Sequence, residues 1–279
     1  MHMGAASVPD PGGRTGRVPT REELREHLIR TRIAGHVATP RENNLDHYRS
    51  LALRDPYYLF GLDISEDWSY ADVLGLMAKS VGVSPDPEHR EGQDTIDPDR
   101  TIDALEAMAD RIGAVLARGS ARVLFATGHP TGLLAIHTAL ARTAAAYGAT
   151  VITPAEGGEC VGGYGRRRRI RYLDDVAMLD DRGSFVHTHD ADPMVAILEE
   201  LDRRGEPRPD LVIADHGWAG AAGEAGIETV GFADCNDPAL FVGEAEGKIA
   251  VAVPLDDNVL PRYYRPLTEY LIHRITRDL

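Results

Sequence analysis

Cysteine, lysine, aromatic residues and long apolar runs are all scarce in this chain of 279 residues, and each shortage excludes something. Two cysteines, Cys160 and Cys235, cannot build a disulfide framework, and a chain of this length buries enough core to need none. They read as reduced thiols, and without a Cys-x-x-Cys pair there is no thiol redox motif. No apolar run approaches the ~20 residues of a membrane span. The opening stretch MHMGAASVPDPGGRTG lacks the apolar segment of a secretion signal. A cytoplasmic protein with no membrane partner is the expectation. Lys79 and Lys248 are the only lysines among 30 basic residues, which face 44 acidic ones for a net charge of −14. Phosphate backbones are held by clustered basic charge, so the default partner is not nucleic acid. A small molecule remains, with a second copy of the chain as a possible homodimer partner.

What is present is an α/β pattern. Residues 1–18 carry Gly, Pro and small residues without periodicity and read as a flexible tail before a single α/β domain over 19–279. Thr20 caps a helical pattern with Leu24, Leu28 and Ile29 along one face. A polar stretch, RENNLDHYRSLALRDPYY, separates it from helical patterns over Tyr70–Val81 and Pro98–Arg118, so residues 19–118 form a mostly helical N-terminal region. Over 119–279 short β-branched runs alternate with helical ones. The runs are Arg122–Ala126, Thr150–Thr153, Ser184–Thr188, Leu211–Ala214, Glu228–Phe232 and Ile249–Val253. Continuous apolar runs of this kind predict a Rossmann-like, mostly parallel sheet covered by helices. The segment Ala155–Arg182 is too long for a simple connection and reads as a hairpin or a lid.

Ligands of open α/β sheets bind where the strands end, and here those ends are polar. The first run ends in Thr127-Gly128-His129-Pro130-Thr131-Gly132 before a helix over Leu133–Tyr147. Gly128 and Gly132 would allow close approach, and Thr127, Thr131 and the helix N–H groups would hold a phosphate. The same residues also describe an ordinary capped turn. His187 and His189 share one side of an extended segment, the spacing by which a strand offers two imidazoles to a metal or supplies acid–base groups. Asp190 and Asp192 nearby can simply cap the next helix. Three later runs deliver Asp215, then Asp234, Asn236 and Asp237, then Asp256, Asp257 and Asn258 to one edge. Carboxylates and amide oxygens are the hard ligands that Mg²⁺ takes, and so many neighbouring acids are costly without a cation. Asp237 and Asn258 are equally good helix caps. Arg262 follows closely enough to reach phosphate oxygens, and Arg166–Arg169 would clamp an anion if the preceding Gly-rich loop folds over the site. Lys248 reads as a surface ion-pair partner of Glu244 or Glu246.

The stretches RTRIAGHVATPRENNLDHYRSLALRDPYY, GQDTIDP, VLFATGHPTGLL and DNVLPRYY resemble an actinobacterial family labelled phosphatase, sometimes histidinol phosphatase. The resemblance covers nearly the whole chain after the tail and implies a phosphomonoesterase. The RHG signature of the histidine-type phosphatases is absent from the sequence. The chemistry is then expected from the strand-end carboxylates, as in metal-dependent carbohydrate phosphatases of similar architecture. Asp234, Asn236 and Asp257 or Asp215 would hold Mg²⁺, Asp215 or Asp234 would orient or supply the nucleophile, and His129 would protonate the leaving alkoxide of a small phosphorylated metabolite. The resemblance also draws Asn43, Asn44, His47, Gln93 and Asp94 toward the substrate side of the cleft. A non-catalytic phosphate-ester or nucleotide-binding regulatory module, and a sugar-phosphate isomerase or lyase using His187 and His189, are the rival readings.

Overall fold

The computed structural model describes residues 17–162 and 165–279, so residues 1–16 of the expected tail lie outside the described residues. Helix α1 (Arg21–Thr31) begins at Thr20, whose hydroxyl accepts from the Glu23 N–H while the Glu23 carboxylate accepts from the Thr20 N–H. This is the capping box that the Thr-x-x-Glu spacing implies. Helix α2 (Arg41–Ala52) occupies the stretch that reads only as polar. Its inner face is Arg41, Asn44, Leu45, Tyr48 and Leu51, a helical spacing that begins with two polar residues and therefore hides from an apolar-periodicity test. Helices α3 (Tyr70–Ser80) and α4 (Pro98–Leu116) fall where expected.

The buried start of α2 is satisfied by Asp94, whose Oδ2 accepts from Arg41 Nη1 at 2.8 Å and from Asn44 Nδ2 at 2.9 Å. Asp94 lies in β2 (Gln93–Ile96), which pairs antiparallel with β1 (Gly35–Pro40) in a separate two-stranded sheet. The N-terminal region is thus helices plus a small sheet. Asn44 and Asp94 are buried within it rather than lining a cleft, Gln93 is exposed, and Asn43 is half-buried.

Among the described residues the main sheet has nine strands: β3 (Arg122–Ala126), β4 (Thr150–Val151), β5 (Glu159–Gly162), β6 (Arg166–Leu173), β7 (Val176–Asp181), β8 (Ser184–Phe185), β9 (Leu211–Asp215), β10 (Thr229–Ala233) and β11 (Val251–Pro254). Their order is β11-β10-β9-β3-β7-β6-β5, with β4 also beside β3 and β8 beside β7. Pairing is parallel from β11 to β7 and antiparallel among β5, β6, β7 and β8, so the sheet is mixed. Every residue of β9 and β10 is buried, which is why these strands read as continuous apolar runs. Helices α5 (Pro130–Ala146), α9 (Arg265–Thr276) and α4 pack together on one side, and α6 (Asp192–Arg204), α7 (His216–Glu224) and α8 (Pro238–Ala245) on the other.

The expected run Ser184–Thr188 is corrected by this topology. Only Ser184 and Phe185 pair, antiparallel to β7, and the core position beside the end of β3 belongs to β7. The excursion Ala155–Arg182 is therefore a meander that supplies a core strand. The segment after β8 runs back to the carboxyl edge, where the Thr188 N–H donates to the Gly128 carbonyl at 2.9 Å. Within β6, Arg167 and Arg169 are exposed and face Glu159 at 3.3 and 3.6 Å. Arg168 turns inward toward Asp181 and Asp190. Among the described residues no helix is long and apolar enough to cross a membrane.

At the opposite edge Lys248 pairs with Glu224, 2.7 Å away, and not with Glu244 or Glu246. Glu246 instead accepts from Ser65, Glu66 and Trp68. Burial pushes the Glu244 carboxyl up to about 7, against a partly opposing hydrogen bond from the Ala252 N–H. An acid whose folded value is raised stabilises the fold below its ordinary range and loses that contribution as pH rises through the folded value. Glu244→Gln is therefore expected to match the wild type near pH 5 and to exceed it near pH 8. The gain, on the order of 1–2 kcal/mol after solvent screening, is read from denaturant titrations at the two pH values.

Candidate functional site

Strand β9 runs into Asp215, and the next residue, His216, takes φ +48 as the chain turns sharply into α7. A bulky residue held in the left-handed region costs roughly 1 kcal/mol or more, and such strain collects at functional sites. The turn aims the imidazole with care. Asp215 Oδ1 accepts from His216 Nδ1 and from the Gly128 N–H, both at 2.7 Å, while Oδ2 accepts from His137 Nε2 at 3.1 Å. Burial alone would raise the Asp215 carboxyl, but the hydrogen bonds from His137 and His216 hold it well below the usual carboxylate range. With Nδ1 committed to Asp215, His216 Nε2 faces Asp237 Oδ2 at 3.3 Å and Asp257 Oδ2 at 3.4 Å. Burial disfavours a charged His216, yet Asp237 and Asp215 overcome it and raise the ring well above its ordinary value, and a cation at Nε2 would take the place of that proton.

His187 and His189 reach the same place from the segment after β8. Their Nε2 atoms are 3.1 Å apart, and the His189 ring stacks on His216 with centroids 4.6 Å apart. Burial first, and then the charge on His216, push His187 down to about 4 and His189 to about 3. Neutral imidazoles keep a lone pair free for a metal. His187 is exposed, His189 half-buried and His216 buried, so the cluster leads inward from the surface.

The third side is the loop pair after β10 and β11. Thr39 Oγ1 in β1 donates to Asp234 Oδ2 at 2.6 Å, and the Ala38 N–H donates to Asp256 Oδ2 at 3.2 Å. Behind them α2 fixes the main chain. Tyr48 donates to the Cys235 carbonyl at 2.6 Å, and His47 Nδ1 donates to the Asn236 carbonyl at 2.7 Å. Burial and the neighbouring Asp256 push Asp234 up to about 8, the unfavourable crowding that a divalent cation relieves.

Among the described residues three triads of possible metal donors result: His187, His189 and His216; His216, Asp237 and Asp257; and Asp234, Asp256 and Asp257. Among the described residues no Arg or Lys forms an ion pair with Asp215, Asp234, Asp237, Asp256 or Asp257. Asp257 Oδ2 accepts no hydrogen bond although its side chain is only 8% exposed. The mixed donor set, the buried oxygen without a hydrogen-bond donor and the lack of an Arg or Lys partner suit a cation.

A family model described as Phosphatase matches residues 19–278. The chain belongs to the Phosphatase family. It is 54% identical over 267 residues to the Streptomyces coelicolor protein named "Phosphatase SCO2771", covering 95% of this chain and 98% of that one.

In this phosphatase several N–H groups at the Thr127–Gly132 turn already have partners within the chain. The Gly128 N–H is taken by Asp215, that of His129 by Thr127 Oγ1 at 2.9 Å, and those of Gly132 and Leu133 by the His129 carbonyl. Its glycines serve packing, since a Cβ would lie 2.3 Å from the Thr188 carbonyl oxygen at Gly128 and 2.1 Å from that of Asp257 at Gly132. Thr131 and Arg262 are exposed, and the Arg262 guanidinium lies over the Tyr263 ring. Asn236 offers His47 its main-chain oxygen, and Asn258 donates its N–H to Asp256 Oδ1 at 3.0 Å. Asp215 supports the cluster instead of facing it with a free oxygen. His129 joins from the start of α5, its Nε2 3.7 Å from Asp257 Oδ1. His216 and His137 were not among the expected site residues. The Asp-His-Gly sequence closing a buried strand is the only local signal of His216, and His137, inside α5, has none.

Proposed function

We propose that this phosphatase is a metal-dependent phosphomonoesterase acting on a small phosphorylated metabolite, with its principal cation held by His216, Asp237 and Asp257. The observation that carries the reading is the Asp215–His216 hydrogen bond. It commits Nδ1 as a donor and leaves Nε2 pointing at two carboxylates, the carboxylate–imidazole–metal arrangement of many metal sites. His187 and His189 stand nearer the surface as further imidazole donors. Imidazole with carboxylate favours Mn²⁺ or Zn²⁺ over the Mg²⁺ expected from carboxylates alone. The bound cation would neutralise phosphoryl charge and acidify water, which matters where no Arg or Lys pairs with the cluster acids.

Burial lowers His129 from its ordinary value, which favours the neutral imidazole. A neutral ring beside Asp257 fits a base that takes a proton from the attacking water at Nε2 better than an acid protonating the alkoxide.

Chelator-stripped protein is expected to release no inorganic phosphate from a panel of small phosphate esters, and Mn²⁺ is expected to restore release more than Mg²⁺. Undiminished release by the stripped protein overturns the reading. Thermal stabilisation by an ester without turnover points to a binding module, and isomerised product to an isomerase or lyase.

A further inference from the structure

We infer that the centre takes two cations, the second held by Asp234, Asp256 and Asp257, with Asp257 shared between them. This rests on the first cation lying at His216, Asp237 and Asp257. The donor atoms of each triad lie within 4.8 Å of one another, and the two triads meet at Asp257. Parallel pairing sets the loops side by side, because Ala233 at the end of β10 is in register with Pro254 at the end of β11. Asp234 and Asp256 therefore leave the sheet at nearly the same level, next to Asp257.

The three carboxylates are buried at 4%, 1% and 5% residual exposure. Asp234 and Asp256 are aimed by neutral donors only: Thr39 Oγ1 and the Cys235 N–H for one, the Ala38 and Asn258 N–H groups for the other. Those bonds orient the oxygens without neutralising them. Asp257 contributes the independent sign of a ligand, a buried Oδ2 with no hydrogen-bond donor. A buried carboxylate oxygen without a hydrogen-bond donor is costly, and Asp257 Oδ2, 3.4 Å from His216 Nε2, stands where both triads could use it. The second triad is all oxygen, so it selects a hard cation, Mg²⁺ or Mn²⁺. Mn²⁺ suits both donor sets, and paired cations are a recurrent means of phosphate-ester hydrolysis.

The test uses the full chain stripped with chelator and reloaded with Mn²⁺ alone. Bound metal is counted after equilibrium dialysis, and the electron paramagnetic resonance spectrum is recorded. Two Mn²⁺ per chain with an exchange-coupled spectrum are expected, and Asp256→Asn should leave one Mn²⁺ with an isolated-ion spectrum. One Mn²⁺ with an isolated spectrum in the wild type overturns the second site and spares the first. No bound Mn²⁺ overturns both. Two Mn²⁺ retained by Asp256→Asn overturn the assignment of the second site to these residues. Should that variant not fold, the wild-type count and spectrum still decide.

Discussion

His216→Asn is expected to lower phosphate release by roughly 10³-fold, the scale on which active sites lose a principal electrostatic group. Asparagine is the informative replacement because it tolerates the left-handed backbone that His216 occupies at φ +48. Its amide can still donate toward Asp215 in place of Nδ1, so the layer formed by Asp215, His137 and Gly128 keeps its hydrogen bonds. What disappears is Nε2, the atom facing Asp237 and Asp257. Steady-state assays with saturating Mn²⁺, beside a thermal melt of the same preparation, separate lost chemistry from lost folding. A variant that melts like the wild type and retains more than about a tenth of its activity would remove His216 from the centre.

The largest stability effect is expected at Asp94→Ala. Arg41 and Asp94 are both fully buried and joined at 2.8 Å, and Asp94 also accepts from Asn44 and from the Thr95 N–H. Removing the carboxylate strands a guanidinium in the interior, which costs about 3–5 kcal/mol. For a chain of this size that lowers the melting temperature by roughly 10 °C. Activity should fall with it, because α2 holds the loop bearing Asp234 and Asp237 through Tyr48 and His47. Arg41→Met combined with Asp94→Leu should recover most of the stability, since the pair's worth lies mainly in not leaving one charge alone. A loss below about 1 kcal/mol in the single variant would contradict the burial of this pair.

The two residues behind these predictions stood differently in the sequence. The strands ending at Asp215, Asp234 and Asp256 were legible because runs buried on both faces are continuously apolar, and their polar ends announced an edge with chemistry. The HxH pair was legible for its spacing, although the strand assigned to it was wrong: β7, not the run at Ser184–Thr188, fills the core beside β3. Helix α2 was hidden because its inward positions Arg41 and Asn44 are polar and satisfied by Asp94, a partner far along the chain. Neither periodicity nor propensity contains such a pairing. His216 was hidden for a related reason. Its importance comes from a left-handed turn and from carboxylates on two other loops. At the Thr127–Gly132 turn the glycines also answer the close approach of Thr188 and Asp257, which only the tertiary fold reveals.

The most direct measurement is anomalous diffraction at the manganese edge from crystals of the full chain equilibrated with Mn²⁺. A peak bounded by His216 Nε2 and the carboxylates of Asp237 and Asp257 is the predicted result. Manganese found only elsewhere, or no peak with these side chains ordered, would contradict the account.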